Sequence, residues 1–72
     1  MDAELRAKLA LRIRGLRKRH KYTQEKLAEL AGLDSKHIQL LESKRPCAPT
    51  LDTVEKLARV FKMSISKLLD FK

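Results

Sequence analysis

The chain has 72 residues, and its 17 lysines and arginines against 9 acidic residues give a formal net charge of +8. We expect one domain over residues 1–72. Its core should be small, because chains of this size bury only about 60% of their unfolded surface. We expect no room for an additional catalytic or sensor domain. The charge favours a polyanionic partner or else a solubilising surface, and the single Cys47 excludes an internal disulfide and a cysteine-rich zinc site.

Residues 3–19 are predicted to form the first helix. Their apolar residues recur at steps of four, four and three, which places them on one helical face. This stripe consists of Leu5, Leu9, Ile13 and Leu16. Leu11 lies off the stripe. Arg12, Arg14, Lys18 and Arg19 cover the outer faces, and we interpret most of these residues as a solvated helix face.

Two shorter helices are predicted next, separated by a tight turn. Thr23 is an N-cap residue for a helix over residues 24–31, and Gly32 can end that helix in the left-handed conformation. Asp34 can then cap a helix over residues 35–43 only two positions later. The predicted buried residues of the pair are Leu27, Ala28, Ala31, Ile38 and Leu41. Two short helices joined in this way are typical of a helix-turn-helix.

The outward face of the second of these helices carries polar side chains near its start. Ser35, Lys36 and Gln39 point away from the predicted core. A short projecting polar helix is what major-groove reading requires; Lys36 can donate to guanine and Gln39 can pair with adenine. His37 lies between the two faces, where packing, a phosphate contact and base reading all stay open.

Positive charge flanks this segment rather than filling it. Residues 23–43 hold 2 basic and 4 acidic residues, whereas residues 1–22 hold 8 basic and 2 acidic. This distribution suits flanks that contact phosphates while neutral groups read bases. Lys44 and Arg45, directly after the predicted helix, are candidate phosphate contacts together with Ser43.

Two further helices are predicted towards the end of the chain. Thr50 can cap a helix over residues 51–61, and Ser64 can cap a last helix over residues 65–70. The predicted buried stripe of the first of these is Leu51, Val54, Leu57, Ala58 and Phe61, with Val60 off it. Lys62 ends this helix where glycine would be easier.

The segment TQEKLAELAGLDSKHIQLLES resembles the helix-turn-helix of the Cro and phage-repressor (XRE-type) family, and PTLDTVEKLARVFKMSISKLL resembles the last two helices of the same fold. The similarity covers roughly residues 9–69. It implies an all-α, compact five-helix bundle of the lambda-repressor-like type. It also implies a sequence-specific regulator that binds double-stranded DNA as a homodimer and blocks or recruits RNA polymerase. A restriction–modification controller or small repressor fits this size; an antitoxin DNA-binding domain or a protein-bridging coactivator are the alternatives.

The resemblance also assigns roles to single residues. It implies a structural ion pair between Arg17 and Glu42, with a secondary phosphate contact by Arg17 left open. Thr23 and Gln24 become phosphate contacts, and Gln24 can also brace a side chain of the next helix. The family usually has a polar residue where Leu40 stands, so Leu40 either contacts a thymine methyl group or widens the core.

Two more expectations come from the family pattern. The family usually has glycine where Lys44 stands, so a left-handed backbone is expected there. The carboxyl-terminal residues either close the monomer core or form the dimer contact. The candidate dimer-contact residues are Ile65, Leu68, Leu69 and Phe71.

The sequence contains no pattern typical of an enzyme. It lacks a glycine-rich phosphate loop, a nucleophile with its base, and His or Cys residues at metal-site spacing. We therefore expect no catalytic residue, metal, cofactor or small-molecule ligand. Without a predicted signal peptide or membrane span, the expected location is the cytoplasm, with nucleoid association when DNA is bound.

Overall fold

The computed structural model describes residues 2–71, which form five helices and no strand. In chain order these are α1 Ala3–Arg19, α2 Gln24–Ala31, α3 Ser35–Leu41, α4 Leu51–Val60 and α5 Ile65–Leu68. The all-α bundle is as predicted, and α1 and α2 have the predicted bounds. The other three helices end one or two residues earlier than predicted. Glu42, Phe61 and Leu69 follow them with ψ of 3°, 2° and 2°, which takes the backbone out of helical geometry.

Each helix begins at a side-chain oxygen that accepts a hydrogen bond from a backbone N–H of the first turn. The capping residues are Asp2, Thr23, Asp34, Thr50 and Ser64, with donor–acceptor distances between 2.7 and 3.1 Å. These bonds satisfy amide groups that have no partner within the helix. Short polar residues in the sequence therefore fix where the helices start.

The turn between α2 and α3 depends on Gly32. Its φ of 69° is left-handed, and the N–H of Leu33 returns to the carbonyl of Ala28 at 2.8 Å. Glycine adopts this conformation without the steric cost of a Cβ. Asp34 starts α3 two residues later, so the turn holds α3 directly against α2.

The core lies where all five helices meet. Its buried apolar residues are Leu9, Ala10, Ile13, Leu16, Leu27, Ala28, Ala31, Ile38, Leu41, Val54, Leu57, Ala58, Phe61 and Leu68. Two predicted core residues are exposed instead, Leu5 and Leu51. Both lie in the first turn of a helix, at the rim of the bundle, where helical periodicity continues beyond the packed neighbours. The stripe is correct in the middle of α1 and α4 and wrong at their starts.

Arg12 attaches the last helix to the first. Its Nε donates to the carbonyl of Leu68 at 3.2 Å and its Nη2 to that of Lys67 at 3.1 Å. Carbonyls at the end of a helix have no partner within the helix; that of Lys67 also accepts from the N–H of Asp70 at 3.2 Å. The interpretation of Arg12 as a solvated residue is therefore wrong, since it caps a helix 55 residues further along the chain.

Two lysines have the left-handed backbone that favours glycine. Lys62 does so with φ of 57°, as expected, and Lys21 does so with φ of 60°. Among residues 2–71 no other non-glycine residue has a positive φ, so the expectation of a left-handed Lys44 is wrong. The chain leaves α3 through a loop in which lysine keeps an ordinary backbone.

Replacing Lys62 with glycine is expected to raise the free energy of unfolding. A left-handed side chain costs about 1–2 kcal/mol, and the greater freedom of unfolded glycine offsets about 0.4–1 kcal/mol of that gain. The matched control is Lys44→Gly, which relieves no strain and should lower stability. Urea denaturation measures both, and equal shifts in the same direction would contradict this reading of the backbone.

Candidate nucleic-acid interface

A half-buried polar network fixes α3 against α1 and α2. Arg17 donates to Glu42 twice, from Nε to Oε2 at 2.9 Å and from Nη2 to Oε1 at 3.0 Å. Arg17 Nη1 also donates to the Tyr22 carbonyl at 2.9 Å, and Gln24 Nε2 donates to Glu42 Oε1 at 3.3 Å. The Glu42 side chain is only 3% exposed. The expected ion pair and the bracing role of Gln24 are both present, and together they set the position of the end of α3.

The outer face of α3 carries three exposed side chains: Lys36, Gln39 and Leu40. Spacings of three and four residues place them on one side of the helix, opposite the fully buried Ile38. Leu40 is 49% exposed, so the alternative in which it widens the core is wrong. The helix therefore presents a continuous surface with a cation, an amide and an apolar group.

Ser35 and His37 lie at the borders of this face. Both are half-buried, while the backbone N–H of Lys36 is held by the Asp34 carboxylate at 2.9 Å. The intermediate position of His37 is as predicted. The Asp34 carboxylate caps α3, so its negative charge lies next to the free N–H groups at the start of the helix.

The candidate phosphate contacts come from two segments that the fold brings together. Thr23 and Gln24 are at the start of α2, and Ser43 follows α3. The hydrogen bond from Gln24 to Glu42 places these two segments side by side. Since α3 has only seven residues, about 10 Å in length, they also lie close to its outer face.

The three candidate phosphate contacts that follow α3 differ in what their side chains can still donate. The Ser43 hydroxyl donates to the Leu40 carbonyl at 2.9 Å, so its proton is already used. Lys44 and Arg45 are exposed, and neither forms an ion pair with another residue between 2 and 71. The two cations are therefore available to an anion.

The candidate dimer residues are not equivalent. Leu68 is fully buried in the monomer core, whereas Ile65 and Phe71 pack against that core and keep partial exposure. Leu69 is the exposed member of the group. Leu68 therefore closes the monomer core, which was one of the two alternatives. Only Ile65, Leu69 and Phe71 keep surface that a second copy could contact.

A family model described as helix-turn-helix matches residues 13–68 of the chain. No curated protein sequence matches this chain significantly. Among the described residues, no helix has the length and apolar character needed to cross a membrane.

Three solved structures are similar to this chain over most of its length. The restriction–modification controller protein C.AhdI from Aeromonas hydrophila is 31% identical with a TM-score of 0.82, and the match covers 93% of this chain and 98% of that one. The hypothetical transcription factor NHTF from Neisseria is 35% identical with a TM-score of 0.82, covering 94% and 76%. SinR, the master regulator for biofilm formation, in a complex with DNA, is 31% identical with a TM-score of 0.78, covering 86% and 98%.

Proposed function

The chain belongs to the helix-turn-helix family and is a DNA-binding transcriptional regulator, and from this premise we propose that α3 reads the sequence of double-stranded DNA in the major groove. The groove is about 12 Å wide and admits one α-helix. The observation that carries the proposal is the exposed face of α3, with Lys36, Gln39 and Leu40 on one side. The SinR structure supports it as a similar chain in a complex with DNA.

Each side chain of this face has a distinct role in the proposal. Lys36 donates to guanine acceptors, Gln39 pairs with adenine, and Leu40 contacts a thymine methyl group. Ser35 and His37, at the borders of the face, contact either a base edge or a neighbouring phosphate. The phosphate contacts are Thr23, Gln24, Lys44 and Arg45, which set the register of α3 without reading sequence. Ser43 joins them by exchanging its hydrogen bond to the Leu40 carbonyl for one to a phosphate.

We further propose that the active form is a homodimer. One seven-residue helix offers little surface, whereas specific protein–DNA interfaces bury about 1,000–2,500 Å² of protein. Exposed Leu69, continued by the partly exposed Ile65 and Phe71, supplies an apolar surface for a second copy. Two-fold symmetry then places the recognition helices about 34 Å apart on a pseudo-palindromic site. Such a dimer, acting in the cytoplasm, regulates a promoter by blocking or recruiting RNA polymerase.

Selection of bound sites from a random duplex pool tests the base-reading assignment. We expect the selected motif to have two-fold symmetry with half-sites one helical turn apart. Gln39→Ala and Lys36→Ala should relax the preference at one position of each half-site, at about 1–3 kcal/mol per lost contact. The matched control is Lys67→Ala on α5, which removes an exposed cation away from α3 and should leave the motif unchanged. Full preference in both α3 variants would show that other residues read the bases.

A further inference from the structure

A groove separates α1 from the loop that follows α3. Its volume is about 270 Å³. The lining residues are Ala7, Ala10, Leu11 and Arg14 of α1 and Glu42, Ser43, Lys44 and Pro46 of the loop. Two alanines on the α1 side leave the groove open, and its charged side chains come from both walls.

The charge of this groove is positive and uncompensated. The Glu42 carboxylate is already held by Arg17 and Gln24 and has almost no exposed surface. Neither Arg14 nor Lys44 forms an ion pair with another described residue. Four other helical cations do pair with an acid three or four residues away, as Lys56 does with Asp52 at 3.2 Å.

The polar network described above also fixes the two walls of the groove relative to each other. Arg14 lies one turn before Arg17 on α1, and Lys44 lies two residues after Glu42. The doubly hydrogen-bonded pair between Arg17 and Glu42 therefore holds together the two backbone segments from which Arg14 and Lys44 line the groove. Only the two side chains remain to be ordered when the groove binds an anion, because the backbones that carry them are already held.

We propose that this groove binds a phosphate of the DNA backbone, held by Arg14 from one wall and Lys44 from the other. The inference rests on the proposed function and extends the DNA interface from the helix-turn-helix onto α1. A guanidinium can donate two parallel hydrogen bonds to one phosphate, while an ammonium acts as a compact charge. Arg14, assigned to a solvated face from the sequence, becomes a binding residue.

The salt dependence of duplex binding tests the proposal through Arg14→Ala. Each phosphate neutralised by the protein contributes about −0.9 to the slope of log Kobs against log salt concentration. We expect Arg14→Ala to make this slope shallower by about 0.9 on specific and random duplex alike. Far-UV circular dichroism and thermal unfolding should match the wild type, because the Arg14 side chain makes no hydrogen bond or ion pair within residues 2–71.

Arg19→Ala is the matched control. It removes the same charge from the same helix, but Arg19 lines a different groove beside Phe71. We expect it to keep the wild-type slope. An Arg14→Ala slope equal to that of wild type, or equal losses in both variants, would overturn the phosphate site. Salt-independent binding by the wild-type chain would instead overturn the proposed DNA-binding mode itself, so the two failures are distinguishable.

Discussion

Replacing Glu42 with alanine is expected to lower the free energy of unfolding by about 3–5 kcal/mol, the range found when one partner of a buried ion pair is removed. The variant leaves the Arg17 guanidinium half-buried with Nε and Nη2 unpaired, and it takes the acceptor from Gln24. An unpaired buried charge costs more than the intact pair contributes. Urea denaturation of both proteins measures the difference.

The control for this substitution is Glu55→Ala. Glu55 also pairs with an arginine, Arg59, at 3.4 Å, but both side chains are largely exposed. Exposed pairs contribute about 0–1 kcal/mol, so this variant should remain close to wild type. The double variant Arg17→Met, Glu42→Leu should recover much of the stability lost by Glu42→Ala, because it leaves no charge unpaired. Equal losses in Glu42→Ala and Glu55→Ala would show that the half-buried pair does not hold α3.

Replacing Leu27 with alanine is expected to cost about 2–5 kcal/mol, as for other large-to-small substitutions in cores. Leu27 has no exposed surface and packs in the cluster that joins α2, α3 and α4. A small chain has little stability to lose, since domains typically have a total of about 5–15 kcal/mol. The variant should therefore be partly unfolded at moderate temperature, which thermal unfolding followed by circular dichroism would show.

Leu30→Ala supplies the matched control for Leu27→Ala. The same substitution on the same helix, three residues later, affects a side chain that is 45% exposed. Much less apolar area returns to water, so the expected loss is a fraction of that at Leu27. If both variants lost the same stability, Leu27 would not be the residue that joins α2 to the core.

The parts of the fold that local chemistry determines were predictable from the sequence. Thr23, Gly32 and Asp34 specify a cap, a left-handed turn and a second cap within twelve residues, and the structure has all three. Periodicity identified the centre of each core face. It did not identify the ends, as the exposed Leu5 and Leu51 show, because burial there depends on how far the neighbouring helices extend.

Contacts between distant residues were harder to predict. The pair of Arg17 and Glu42 followed from family resemblance, since nothing in local spacing links residues 25 positions apart. The bonds of Arg12 to the carbonyls of α5 had no sequence signal, because any arginine of α1 had the same local pattern. Lys44 shows the limit of the family pattern, since its backbone does not take the left-handed form expected there.

The central claim is that the outer face of α3 enters the major groove. Titrating an isotope-labelled chain with a duplex carrying the selected site, and following amide chemical shifts, tests it most directly. We expect the largest changes at residues 35–39, with smaller changes at Thr23, Gln24 and Lys44. Saturable binding that left the amides of residues 35–39 unshifted would contradict the claim.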